Sequence, residues 1–111
     1  MARSTHLGDL EELTLLAALR LGPDAHGGAV RDELKREAGR SVSVSTVYVT
    51  LMRLEEKGYV RSELGRPEAV RGGKARRLFA VSPEGVAALE AQRDVRAHLW
   101  KGVDLEGDAR V

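Results

Sequence analysis

The chain has 111 residues and no cysteine, which excludes a disulfide framework and every thiolate metal site. That absence suits a reducing compartment, and the cytoplasm is the expected location. Long apolar runs are missing too. No stretch approaches the roughly 20 residues that a membrane-spanning helix needs, and Asp9, Glu11 and Glu12 break up any signal-like apolar core near the start. No membrane association is expected. Charge of one sign is also scarce: 18 Lys and Arg against 17 Asp and Glu leave a formal +1, so overall charge offers no argument for a polyanionic partner. His6, His26 and His98 show no i, i+4 pairing and no neighbouring carboxylate cluster, so metal binding has no support. Gly72-Gly73 lacks the GK[ST] step of a phosphate-binding loop, and no serine lies in a nucleophile motif. No cofactor and no catalytic residue is expected.

What the chain does have is a separation of charge. Between Arg61 and Arg77 lie six basic residues against Glu63 and Glu68, while the tail after Lys101 carries Asp104, Glu106 and Asp108. The length fits one domain whose modest core leaves apolar surface for a second chain to cover, so a homodimer is expected.

The apolar spacing predicts four helices and a hairpin. Helix 1 runs from about Gly8 to Leu21, with Leu10, Leu13, Ala17 and Leu21 on one face and Leu15, Leu16 and Leu19 on others; a helix apolar nearly all round is expected to pack against both its own domain and a partner. Helix 2 covers Gly27 to Ala38 with Gly39 as its C-terminal cap. Val42 is placed in a short strand. Ser43 is an N-cap for helix 3, Val44 to Lys57, whose inward stripe is Val47, Leu51 and Leu54. The opposite side gathers Ser45, Thr46, Val49 and Arg53, with Tyr48 and Thr50 flanking the core stripe. After Gly58, the run YVRSEL sets Val60 and Leu64 on one face, RRLFAV does the same for Phe79 and Val81, and an eleven-residue basic tip from Gly65 to Ala75 joins them. Ser82-Pro83-Glu84 starts a last helix reaching Trp100 or Lys101, and the final ten residues look frayed.

A helix with short polar residues toward its N-terminal end, followed by an Arg- and Lys-tipped hairpin, is the pattern by which a winged helix-turn-helix meets DNA. Each half has a plainer reading, as a solvated helix face or a solvated charged loop. Their occurrence in the correct order favours the DNA reading. Small and polar side chains let the backbone approach base edges, glycines permit close approach at the tip, and cations supply phosphate attraction. Tyr48 has two readings, a phosphate donor or a ring buried on helix 1. For Trp100 they are dimer packing, which aromatic enrichment at interfaces favours, and a flat wall for a planar ligand between subunits.

The segments GDLEELTLLAALRLG, HGGAVRDELKRE, SVSTVYVTLMRLEEKGYV and RGGKARRLFAVSPEGVAAL resemble the PadR-like transcriptional regulators over about Gly8 to Leu89. Tyr48 stands at that family's helix 3 tyrosine. The chain departs from it at Gly28, where an aromatic is usual, and at Val49, where proline is frequent. The resemblance implies a short-form member with one C-terminal helix, dimerising through helix 1 and the last helix and repressing promoters at inverted repeats. Some relatives answer to phenolic or planar hydrophobic compounds, so a planar hydrophobic effector is the small-molecule partner class to consider.

The combined expectation is a mainly α fold with a small β-hairpin wing: a winged helix DNA-binding domain over residues 8–82, a C-terminal dimerisation helix over 83–101 and a flexible tail over 102–111. The candidate contacts to double-stranded DNA are Ser43, Ser45, Thr46, Tyr48, Val49, Thr50, Arg53, Arg71, Gly73, Lys74, Arg76 and Arg77. Leu10, Leu13, Leu16, Leu89, Val95, Leu99 and Trp100 are the candidate dimer interface. A protein-interaction module, with the wing on an acidic partner, and a small-molecule sensor using the dimer cleft are the alternatives; an enzyme ranks last.

Overall fold

The computed structural model describes residues 6–67 and 75–108. In chain order they form α1 (Asp9–Leu21), a 3-10 turn (Gly22–Asp24), α2 (Gly27–Ala38), α3 (Val44–Glu56), β1 (Val60–Pro67), β2 (Ala75–Val81), α4 (Pro83–Trp100) and α5 (Leu105–Asp108). Helix starts are set by side chains that accept otherwise orphaned amides. Ser43 Oγ accepts from the Thr46 amide at 3.1 Å, Ser82 Oγ from Gly85 at 3.0 Å, and His26 Nδ1 from Ala29 at 3.3 Å. Gly8 has no side chain to offer, but its own amide donates to Glu11 Oε1 at 2.8 Å.

The core lies where α1, α2, α3 and the hairpin base converge, with Leu15, Val30, Val47, Leu51, Leu54 and Phe79 almost fully buried. The inward stripe expected for α3 is correct in all three positions. For α1 the stripe is rotated: Leu15, Ala17, Ala18 and Thr14 are buried, whereas Leu10, Leu13 and Leu21 only pack at the core's margin. A single chain covers α1 on most sides because α2, α3, β2 and α4 all contact it. Of its leucines, Leu16 and Leu19, 39% and 46% exposed, remain open.

The sheet has two antiparallel strands, with Val60 opposite Val81 and Leu64 opposite Arg77. Val42 is not in a strand. The backbone that reaches the other edge of β2 comes from ahead of α2, where the Phe79 amide donates to the Ala25 carbonyl at 2.8 Å. Val60 is buried but Leu64 is 63% exposed, because the hairpin has left the core by that point and alternation no longer means burial. The strands extend to Pro67 and from Ala75, so the connecting tip is shorter than the expected eleven residues. Within the terminal ten residues, Leu105–Asp108 make one helical turn, started by Asp104 Oδ1 accepting the Glu106 amide at 3.1 Å.

The Glu33 carboxylate, only 5% exposed, ties α1 to α2 by accepting from Arg20 at 2.6 Å and from Arg36. The Arg20 bond holds its pKa below the ordinary value, with the Arg36 charge adding to it against a burial that pushes the other way. A carboxylate with a lowered folded-state pKa contributes stability that is complete above the ordinary 4.5 and is lost as pH falls below it. Glu33→Gln should therefore lower the melting temperature at neutral pH and flatten its decline between about pH 5 and 3, measured by thermal unfolding across that range.

Candidate nucleic-acid interface

Around α3, Val49 stands at the centre of the outward face, with Ser45 and Glu56 one to two turns along the helix and Thr46, Met52 and Arg53 at its sides. Ser45, Thr46, Val49, Met52 and Arg53 are all exposed. The Thr46 hydroxyl lies 3.0 Å from Ser43 Oγ, so the cap and the first turn of this face share one polar cluster. Thr50 does not belong to it. That residue is 5% exposed and its hydroxyl donates to the Thr46 carbonyl at 2.8 Å, so its role is internal to the helix rather than toward a ligand.

Tyr48 is half-buried, and its ring settles between α2 and the hairpin, edge-on to Phe79 with centroids 6.0 Å apart. Gly27 makes this possible, since a Cβ there would stand 2.6 Å from the Tyr48 ring. The ring thus packs on the start of α2 and on β2, a placement different from the expected burial on helix 1.

Glu55 and Glu56 differ in their surroundings. Glu55 Oε2 accepts from the Ser62 hydroxyl at 2.8 Å and from its amide at 3.2 Å, while Arg77 donates to the same hydroxyl at 3.1 Å. That network holds Glu55 at the wing root and offsets its charge with Arg77. Arg76 lies 2.9 Å from His26 Nε2, which brings a wing cation to the N-cap of α2. Arg71, Gly73 and Lys74 lie outside the described residues.

On the other side of α3, Lys57 donates to Glu11 Oε1 at 2.9 Å. Burial pushes the Glu11 carboxyl up, but the Lys57 bond, the Gly8 amide and the charges of Lys57 and Arg53 outweigh it and hold the group below its usual value. Arg53 therefore acts both on α1 and at the edge of the outward face.

The expected dimer residues divide into two groups. Leu89 is 7% exposed and belongs to the chain's own core, and Leu10 and Leu13 pack at its margin. Leu16, Val95, Leu99 and Trp100 are exposed. Gln92, one turn ahead of Val95, clamps the N-terminal backbone: its Oε1 accepts the Leu7 amide at 3.0 Å and its Nε2 donates to the Leu7 carbonyl at 3.2 Å. A groove of about 840 Å³ runs along α4, walled by Tyr59, Ala88, Ala91, Val95 and Leu99.

Three features escaped the sequence reading. Met52, 58% exposed, stands three residues after Val49, a helical spacing that would have placed it on the outward face. His26 had been weighed as a metal ligand, although its position before Gly27-Gly28 is that of an N-cap. The Ser62 network depends on strand pairing and had no local signal.

The model of the transcriptional regulator PadR-like family matches residues 15–91. The chain belongs to that family. The PadR-like proteins are transcriptional regulators rather than enzymes, and DNA binding goes with that class. The chain is 41% identical over 80 residues to Transcriptional regulator Rv3488 of Mycobacterium tuberculosis (strain ATCC 25618 / H37Rv), covering 72% of this chain and 70% of the relative. Among solved structures, a PadR family transcriptional regulator from Eggerthella lenta DSM 2243 superimposes with a TM-score of 0.65 at 25% identity, over 92% of this chain and 88% of that one. A PadR family regulator from Clostridium difficile R20291 gives 0.65 at 21% identity, over 85% of this chain and 93% of that one. These likenesses agree with the winged helix architecture. Among the described residues, no helix is long and apolar enough to cross a membrane.

Proposed function

We propose that this PadR-like protein is a homodimeric repressor that reads an inverted repeat, with α3 of each copy in a major groove and the wings on flanking backbone. The observation that carries the reading is the shared placement of two chemistries. Ser45, Thr46, Val49 and Arg53 form the exposed face of α3, and Arg76 and Arg77 stand at the wing root. Ser43, which caps α3, and the Tyr48 ring, which fixes its pose, support that face. Among the described residues the Tyr48 hydroxyl makes no hydrogen bond, which suits it to donate to a phosphate.

The dimer reading is supported by the shape of the chain. Its radius of gyration is 16.7 Å, against about 13 Å for a compact chain of similar length. Beyond Gln92 every residue of α4 is exposed, and Val95, Leu99 and Trp100 supply apolar surface at its far end. Together with Leu16, Leu19 and the groove along α4, that surface suits the same elements of a second copy. A two-fold pair would hold the α3 helices at the roughly 34 Å that separates successive major grooves.

Selection of bound DNA from a random pool tests symmetry and spacing together. The expected product is an inverted repeat with half-site centres about one helical turn apart. If each subunit neutralises about four phosphates, log K should fall against log salt with a slope near −7. A selected site without two-fold symmetry, or a slope near zero, overturns the proposal. Transcription in vitro from a promoter overlapping the selected site should fall when the protein is added; a rise would reverse the sign of regulation.

A further inference from the structure

The outward face of α3 carries apolar surface that the rest of the chain leaves uncovered. Val49 is 50% exposed and Met52 58%, and they lie side by side three residues apart. A β-branched valine at a solvated helix position sacrifices helix propensity without any packing in return. The pair is small, and hydroxyls and a cation surround it: Ser45 and Thr46 toward the start of the helix, Arg53 beside it, and Arg77 at the adjoining wing root. Protein-docking surfaces are broader and have a core depleted of charge. The face instead matches the floor of a major groove, where hydrogen-bonding edges alternate with one apolar group, the C5-methyl of thymine.

We propose that Val49 and Met52 read thymine by packing on its C5-methyl group, so that part of the operator preference is a preference for a methyl rather than for a hydrogen-bonding pattern. The inference rests on α3 being the DNA-reading helix. It identifies which chemical feature the centre of that helix recognises and adds Met52 to the determinants. The polar neighbours then fix register through phosphates and base edges, while the apolar pair discriminates thymine from cytosine and from unmethylated uracil.

The probe is the operator obtained by selection, synthesised with deoxyuridine in place of each thymine of a half-site in turn. This replacement removes the methyl and leaves base pairing intact. Removing one buried methyl is worth about fourfold in affinity, so a substitution at the reading position should weaken binding about fourfold, and about fifteenfold when made in both half-sites. The double variant Val49→Ala, Met52→Ala keeps two exposed helical positions filled by a better helix former, so it is expected to fold. It should lose most of the preference for the thymine operator over the uracil one, the alanine methyls being too short to cover the C5-methyl as valine and methionine do. Wild-type affinity unchanged by every deoxyuridine, or a double variant that keeps the full thymine preference, overturns the methyl reading while leaving DNA binding intact. Failure to select any DNA overturns both it and the parent proposal.

Discussion

Replacing Leu99 with Asp and Trp100 with Glu together should yield a monomer whose affinity for the selected operator is about a thousandfold weaker. Leu99 is 70% exposed and Trp100 59%, so neither side chain supports the fold of the single chain. In a two-fold pair each substitution enters the interface twice, so the change sets four carboxylates against surface that needs to lose water. The large effect on DNA follows from linkage. With two reading heads joined, the second half-site binds as an intramolecular step, and losing the join forfeits roughly 10²–10⁴ in affinity without touching any base contact. Sedimentation equilibrium and operator titration check the two parts separately, and far-UV circular dichroism should show unchanged helicity. A dimeric mass for the double variant would place the interface elsewhere, with Leu16 and Leu19 the next surface to test.

Gly85→Ala should be the most destabilising alanine substitution among the described glycines, costing about 3 kcal/mol and lowering the melting temperature by about 13 °C for a domain of this size. Alanine ordinarily improves a helix by up to about 1 kcal/mol over glycine, so the expected sign is set by the site. A Cβ at Gly85 would stand 2.3 Å from the Tyr59 carbonyl oxygen and 2.9 Å from Val81 Cγ1. That carbonyl already accepts the Ser82 amide at 2.9 Å, and the Ser82 hydroxyl donates to the Gly58 carbonyl at 2.6 Å. The first turn of α4 thus rests backbone against backbone on Tyr59, just ahead of β1, and the one side chain in the contact, Val81, is β-branched and stiff. The methyl can be accommodated only by moving α4. Because α4 also carries Leu99 and Trp100, in the proposed dimer the same shift would change the separation of the two α3 helices, and operator affinity should fall further than stability alone explains. A melting shift below about 4 °C would show that α4 can slide off Tyr59 at little cost.

Both predictions draw on features that were only partly legible in the residues. The element order, the Ser43 and Ser82 caps and the inward stripe of α3 were readable because each rests on local chemistry: a hydroxyl one position before a helix, or apolar residues at helical spacing. The outward set Ser45, Thr46, Val49 and Arg53 follows from that same stripe, as its complement. Thr50 was misassigned because a threonine at the boundary between faces can either meet solvent or turn its hydroxyl back to a carbonyl, and only the packing of α3 on its neighbours selects between them. Leu89 and Leu99 sit in similar helical patterns, yet one is buried and the other exposed. The difference is where α4 leaves the body of the domain, which depends on the depth of its docking at Tyr59.

From the chain alone came the family resemblance, the winged helix-turn-helix class, the exclusion of thiolate chemistry and the concentration of positive charge in the hairpin. These follow from residue type and short-range spacing. The tertiary structure decided the rest: the Tyr48 ring against Gly27 and Phe79, Glu55 held by Ser62 beside Arg77, and the apolar end of α4 left uncovered. Each of these depends on contacts between segments distant in sequence, and helical or strand periodicity carries no information about which distant surface a given face will meet.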